Sequence, residues 1–441
     1  MCASRKKPLF HKNNHSSNHY RIAVFITLIL LVLFVLQSIS HGSITPLFLS
    51  TPTPTRTVDS YIEEGETHFI AGDLNKSLTA FQQAAKVNPN DVNLWVELAR
   101  IQVYSSSLII TDESKHARLN DALRSIDRAL EINPEDSTAH AVRAFTLDWL
   151  ADPGLVGKDW QNLLTEAEQE AVKALQLNNQ DILALAYYAE ILVDQQKWLQ
   201  ADQYIREAVQ RDPSIMDVHR INAYVQESLG NYSEAITEYK RAVEINPNLT
   251  FLYLAIGANY RKLQQYDLAL EYFDKAANIN EQLNIKDPIP YLSIAKTYVQ
   301  MGQFFSAGLN ARKGLQFSPD NPNLYGQLGI IYFKARNYEG AIPALKCALR
   351  GCTAEESCEV RQCNSEIDTM VPIEGLPLTA STVVYYFTYG SVLAGMHRES
   401  NGYCEEAMQI LKMVQRDFSN DPTVMQIVQD GENICHSYGY Y

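Results

Sequence analysis

The sequence holds none of the short motifs that mark the common catalytic centres. There is no phosphate-cradling glycine loop, no H-E-x-x-H and no G-x-S-x-G. Their absence argues against P-loop nucleotide hydrolysis, zinc proteolysis and α/β-hydrolase acyl transfer. Nor is there a C-x2-C pair, the spacing with which structural zinc sites present their thiolates. Basic residues are scarce beyond the N-terminus. Residues 1–21 hold Arg5, Lys6, Lys7, Lys12 and Arg21 with no acid, and removing these five charges takes the net charge from −14 for the chain to −19 for the rest. A body that acidic argues against a nucleic-acid partner, whose affinity rests on neutralised phosphates. With 46% apolar and 20% charged residues, the chain is not compositionally disordered, and glycine and proline are ordinary in number.

One long apolar run is present. Residues 22–36 read IAVFITLILLVLFVL and the run continues to Ile39, close to the length of about 20 residues that a membrane-spanning helix needs. Basic residues precede it, and Arg56 is the only Lys or Arg between 41 and 57, so the positive-inside bias puts the tail in the cytoplasm and the body outside. A cleaved secretory signal is the other reading, because Ser38 and Ser40 are small residues at cleavage-like positions. Residues 43–57 alternate Thr and Pro, an extended spacer rather than a helix. His11, His15 and His19 fall four apart in the tail without a companion carboxylate or cysteine, and neither they nor Cys2 make a metal site.

From about residue 58 a phrase recurs, stated most cleanly from Gly230 through Ala235, Tyr239 and Ala242 to Pro247. Pro213 to Pro247 is 34 residues, and Asn179 lies 34 before Pro213, whereas Pro89 to Pro134 and Pro134 to Asn179 are each 45. A constant period with extra residues in two copies means a repeat array with insertions. Those insertions fall near Ser105–Lys115 and Asp152–Lys158, between the helices of a pair, so extended helices or projecting loops are expected on one edge. Each unit holds two stretches of apolar residues at helical spacing. In the copy opening at Thr250, Tyr253, Ile256, Gly257 and Tyr260 stripe the first; Tyr266, Ala269, Phe273 and Ala276 stripe the second. Gly257 and Ala269 are small where two helices must touch.

This pattern resembles the tetratricopeptide repeat (TPR) family. Tyr61, Gly65, Phe81, Ala84 and Pro89 mark a first copy; Trp95, Leu98, Ala99, Ala122, Ala129 and Pro134 a second; Tyr325, Leu328, Gly329, Tyr332, Ala341 and Ala348 an eighth. The resemblance implies an all-α fold, a right-handed α-solenoid of about eight or nine helix pairs behind a single N-terminal transmembrane helix. The expected organisation is a basic tail (1–21), the span (22–40), a Thr/Pro linker (41–57), the array (58–349), a Cys-rich insertion (350–381), and a degenerate ninth repeat with a capping helix (382–441). His68, His140, His219, Trp95, Trp149 and Trp198 fall on repeat helices, where packing is the expected role.

Cys347, Cys352, Cys358, Cys363, Cys404 and Cys435 form an even set in the exported region, which favours up to three disulfides over zinc. They are expected to staple the insertion and the ninth unit to the array; Cys404 with Cys435 is the one pairing singled out.

Ser293-Ile294-Ala295-Lys296 fits S-x-x-K, but S-D-N and K-T-G are absent and the quartet lies on a repeat helix. No enzyme, metal or cofactor is expected, and binding remains. In the resembled family the first helices line a concave groove. Carrying over the second, fifth, ninth and twelfth places nominates Arg220, Tyr224, Phe251, Leu254, Arg261, Leu292, Lys296, Ile330 and Phe333. The implied partner is a protein or peptide with hydrophobic anchors and an acid, and the lipid bilayer is met through residues 22–40. A structural part in an envelope or polysaccharide assembly, with tyrosines touching sugar, is the alternative.

Overall fold

A computed structural model describes residues 18–40, 56–364 and 366–441, which divide into two units, residues 1–56 and 57–441. Cys2, His11, His15 and the Thr/Pro stretch up to residue 55 lie outside the described residues. In the first unit, α1 (His19–Ser40) is apolar on every side, and Phe25, Leu33 and Phe34 stand 65%, 54% and 68% exposed. Thr27 turns its hydroxyl back to the Ala23 carbonyl at 2.6 Å, so this polar group needs no outside partner.

The second unit is a stack of antiparallel helix pairs. Copy one is α2 (Val58–Ile70) with α3 (Leu74–Val87), and copy two is α4 (Val92–Ser106) with α5 (Asp112–Ile132). Copy three pairs α6 (Ser137–Leu150) with α8 (Trp160–Leu177), and the short α7 (Pro153–Val156) sits between them. Then follow α9 (Ile182–Asp194) with α10 (Trp198–Arg211), α11 (Met216–Ser228) with α12 (Tyr232–Ile245), and α13 (Thr250–Lys262) with α14 (Tyr266–Gln282). Copies seven and eight are α15 (Ile289–Gln300) with α16 (Phe304–Phe317) and α17 (Pro322–Lys334) with α18 (Tyr338–Arg350). After α19 (Ala354–Arg361), the ninth pair is α20 (Val383–Met396) with α21 (Tyr403–Asp417), and α22 (Pro422–His436) closes the end.

Each part of the recurring phrase has a mechanical counterpart. At Gly257 a Cβ would lie 2.5 Å from the Phe273 ring, and at Gly329 it would lie 2.5 Å from Leu345, so only the missing side chain lets the two helices of the pair meet. Gly230 ends the first helix of copy five at φ +82°, a left-handed conformation that glycine adopts without a steric penalty. Proline two residues past α3, α5, α10, α12 and α16 prevents their continuation. The carbonyl of that proline is then used by the next helix. Trp95 Nε1, His140 Nε2, His219 Nε2 and the hydroxyls of Tyr253 and Tyr325 donate to the carbonyls of Pro89, Pro134, Pro213, Pro247 and Pro319 at 3.0, 3.0, 2.8, 2.6 and 2.8 Å. The tryptophan and two histidines expected to pack therefore also tie each copy to the turn before it. His140 and His219 bind through their other nitrogen to Glu170 at 2.5 Å and Glu238 at 2.6 Å.

The insertions of copies two and three lengthen helices, giving α5 its 21 residues and α8 its 18, and Lys115 on α5 reaches within 4.0 Å of Asp152 ahead of α7. A further insertion escaped the spacing argument. Pro319 lies 72 residues after Pro247, four more than two periods of 34, and the surplus extends α14 and the turn holding Asp287. That side chain is buried and accepts from Asn280 and from the Ile289 amide; burial pushes it up to about 6.

The cysteines pair as Cys347–Cys352, Cys358–Cys363 and Cys404–Cys435. The first joins α18 to the insertion, the second closes α19 on itself, and the third ties α21 to the capping helix. The insertion is further held by an isolated antiparallel bridge between Cys352 and Ile373. Of the expected staples to the array, Cys347–Cys352 ties on the insertion, and no disulfide among the described residues joins the ninth pair to the array.

Candidate functional site

The first helices of copies two to five pack side by side and curve so far that α4 meets α11 and α13. What they enclose is filled by the protein itself. Phe145 stacks on Tyr187 at 4.3 Å between ring centroids, and Tyr104 stacks on Phe251 at 5.5 Å. Asp217, fully buried, accepts from Arg100 Nε at 3.3 Å and Nη2 at 2.8 Å, from the Tyr187 hydroxyl at 2.6 Å and from the Tyr104 hydroxyl. Burial alone would raise this carboxyl. The Arg100 charge and hydrogen bonds outweigh burial and hold it well below the usual carboxylate range. Arg220 lies over the Tyr104 and Phe145 rings and binds Glu190 through two hydrogen bonds of 2.7 and 2.6 Å.

These contacts decide where the nominated residues stand. Arg220, 6% exposed, is spent on an internal ion pair instead of facing a ligand. Its guanidinium is held by the protein itself, and one face of the Phe251 ring is covered by Tyr104. Tyr224 donates its hydroxyl to Asp194 at 2.5 Å. Arg220, Tyr224 and Phe251 do share one pocket of about 460 Å³, together with Asp148, Glu190 and Asp194. Leu254 packs toward Ala269, Phe273 and Tyr291 instead of lining that pocket.

A second pocket, of about 470 Å³, gathers Arg261, Leu292, Lys296 and Ile330. Gln327, Lys334, Val384 and Tyr385 complete its walls, and no carboxylate is among its lining residues. Burial pushes the Lys296 ammonium down and the neighbouring Arg261 charge adds to the shift; burial pushes Arg261 down as well. Arg261 is steadied by the Ser293 carbonyl at 3.3 Å and lies over the Phe273 ring. Two like charges are therefore held close together beside apolar walls. Phe333 stands apart from this pocket, 37% exposed and against Tyr338. No hydrogen bond joins the Ser293 hydroxyl to the Lys296 ammonium among the described residues, so the S-x-x-K quartet makes no nucleophile and base pair.

Sequence reasoning missed the acids. The ninth and twelfth places, applied to copies two to four as they were to later copies, would have returned Arg100, Phe145, Asp148 and Glu190. Tyr385 and Val384 come from the degenerate ninth copy, where the register is too weak to count places.

Comparison with known proteins agrees with the repeat geometry. Models of the TPR repeat and of the tetratricopeptide repeat match residues 222–262 and 252–283. The chain is 28% identical over 107 residues to anaphase-promoting complex subunit 3 of Schizosaccharomyces pombe, covering 24% of this chain and 16% of that protein. It is 26% identical over 117 residues to BBSome complex member BBS4 of Bos taurus, covering 26% and 22%. The match thus spans less than a quarter of the length of either relative. Among solved structures, the APC/C hetero-tetramer Cut9-Hcn1 aligns at TM-score 0.49 and 15% identity over 75% of this chain and 56% of that one. A tetratricopeptide repeat protein from Parabacteroides merdae aligns at 0.35 and 17%, over 58% and 91%.

Proposed function

The chain is a tetratricopeptide repeat protein, and from that premise we propose that it is a membrane-anchored, exported, non-catalytic scaffold that holds a partner protein. The partner segment enters the pocket of copies six to nine, with apolar side chains against Leu292 and Ile330 and an acid between Arg261, Lys296 and Lys334. One observation carries this: three cations line an accessible pocket that contains no carboxylate, inside a chain of net charge −14. Such a charge arrangement favours an anionic partner by complementarity and long-range attraction. The two curated relatives described above are named as members of multi-protein complexes, which supports a scaffold.

The anchor reading draws on α1, whose apolar side chains are exposed and whose apolar run from Ile22 follows five basic residues; burying it in hydrocarbon removes that surface from water. Three disulfides suit an oxidising compartment beyond the membrane.

Capture from solubilised membranes tests the groove. Lys296→Glu/Lys334→Glu is expected to lose the partner retained by the native chain, and equal recovery by both refutes the site. Protease added to intact cells tests the topology: digestion of the repeat body is expected, and protection of the body with digestion of the tail reverses it.

A further inference from the structure

The pocket of the N-terminal half is the reverse of the one just described, and the scaffold reading leaves it without an occupant. It is built where the two insertions meet, with Lys115 from α5 and Asp152 from the turn before α7 at its edge. Asp148, Glu190 and Asp194 are among its lining residues. Arg220 answers Glu190 alone, through its two hydrogen bonds, and Lys115 lies nearest Asp152. The two remaining carboxyl groups, Asp148 and Asp194, line the same pocket, and no ion pair among the described residues engages either.

Asp148 is 5% exposed, and its Oδ1 finds no hydrogen-bond donor among the described residues. Asp194 lies exposed at the mouth, with one oxygen held by the Tyr224 hydroxyl. A buried carboxyl without a donor is a costly arrangement in a folded protein. Aromatic walls rise beside it: Trp149, anchored to Glu190 by its indole N–H at 3.3 Å, with Tyr224 and Phe251.

Acids that share a pocket without a cation paired to either, set among aromatic faces, are complementary to a compact organic cation. We propose that this pocket receives the side chain of a lysine from a partner segment, the ε-ammonium lying between Asp148 and Asp194. An ammonium offers three donors and a point charge, and so can bridge two carboxylates on different helices. The planar guanidinium of arginine fits one carboxylate edge-on and suits this pair less well. The alkyl stem would lie along Trp149 and Phe251, where a cation is also attracted to the ring faces. Both acids ionise when the ammonium enters, so binding releases a proton. Burial and the neighbouring Asp194 and Glu190 keep the Asp148 carboxyl well above its ordinary value, against the opposing charge of Arg220. Burial likewise pushes Asp194 up to about 6, with Tyr224 opposing. Binding is therefore expected to tighten as pH rises through about 6.

The proposal rests on the scaffold reading for the source of the lysine, and its test is separate from that reading's test. The full-length protein in detergent, labelled with 5-fluorotryptophan, has four tryptophans to observe by fluorine NMR, and Trp149→Phe identifies the resonance of the pocket. Nα-acetyl-lysine methylamide is titrated as the probe. The expected result is a saturable shift of the Trp149 resonance, weakened about tenfold or more by Nε-acetylation of the probe, by Asp148→Asn/Asp194→Asn, and by lowering the pH from 7 to 5. The double asparagine variant removes a repelling pair, so an unchanged melting temperature is the check that it folds. Equal shifts from the acetylated probe, or equal binding by the double variant, overturn the proposal. Tighter binding of free cadaverine than of the lysine derivative overturns the partner lysine in favour of a free amine. Loss of partner capture in Lys296→Glu/Lys334→Glu leaves these shifts untouched, and absent shifts leave that capture untouched.

Discussion

Replacing Asp217 by alanine tests whether the curved N-terminal half is closed by its internal ion pair. The substitution leaves the Arg100 guanidinium, whose side chain is 13% exposed, with Glu97 as its remaining carboxylate partner, and takes from the hydroxyls of Tyr104 and Tyr187 the acceptor between them. Breaking a buried pair by removing one partner costs about 3–5 kcal/mol, mostly the penalty of an uncompensated buried charge. Repeat arrays unfold in segments, so the loss is best read locally, by hydrogen exchange on peptides from α4 and α11. At 1.36 kcal/mol per tenfold, the opening equilibrium there should rise about 150- to 5,000-fold, while peptides from α20 stay as they were.

Replacing both charges with apolar groups, Arg100→Met/Asp217→Leu with Tyr104→Phe and Tyr187→Phe, should recover most of the protection, because no charge is then stranded. A rise below tenfold in the alanine variant, or a combined variant as open as the single one, refutes the account. The sign with pH is also determined. The Asp217 carboxyl is held below its unfolded value, so its contribution is complete above an unfolded pKa of about 3.9 and disappears as pH falls through the folded value. The gap between native and alanine chains should therefore stay constant between pH 6 and 8.

Gly257→Ala should destabilise by about 1–2 kcal/mol, since strain against Phe273 exceeds the gain of about 1 kcal/mol in helix propensity; Phe273→Leu in the same chain should relieve it, as read by urea denaturation. Burial opposes the His219 imidazolium, but its bonds to Glu238 and the Pro213 carbonyl win and raise its pKa above the ordinary value. The stabilisation is thus present below about pH 6.5 and lost as pH rises through the raised folded value, so the difference in urea midpoint between the native chain and His219→Gln should shrink from pH 6 to pH 9. Cys404→Ser/Cys435→Ser opens a crosslink of sequence separation 31, worth about 3.5 kcal/mol by loop closure. It should free α22 to exchange without altering the first five copies.

The helix pairs were legible because what makes them is local. Gly257 with Phe273, Gly230 at its turn and Pro247 after α12 lie within one period, and each repeats. The extra four residues beside Asp287 were not legible from the prolines, since no proline stands at the end of α14 to expose the shift. The internal network was hidden for a different reason. Arg100 and Asp217 are 117 residues apart in sequence, and their pairing depends on how tightly successive copies curve, a quantity that no single copy encodes. The cysteine connectivity was open because six cysteines allow 15 pairings that spacing does not rank, with only the pairing of Cys404 and Cys435 singled out.

The consensus therefore locates the groove positions without saying which of them face a ligand. The ninth place of successive first helices, in copies two to eight, holds Arg100, Phe145, Glu190, Tyr224, Ala258, Lys296 and Ile330. In copies two to four these side chains find partners inside the curve: Arg100 takes Asp217, Phe145 takes Tyr187 and Glu190 takes Arg220. In copy seven, Lys296 finds only the like charge of Arg261. The same register thus acts as internal cement where the curve brings an opposite charge across it, and is left without an opposite charge where it does not. By that criterion two places stand out, the cations around Lys296 that lack an anion and the acids Asp148 and Asp194 that lack a cation. They are opposite in sign and built from different copies, so one extended partner carrying an acid and a lysine could engage both, whereas a partner with a single charged anchor could engage only one.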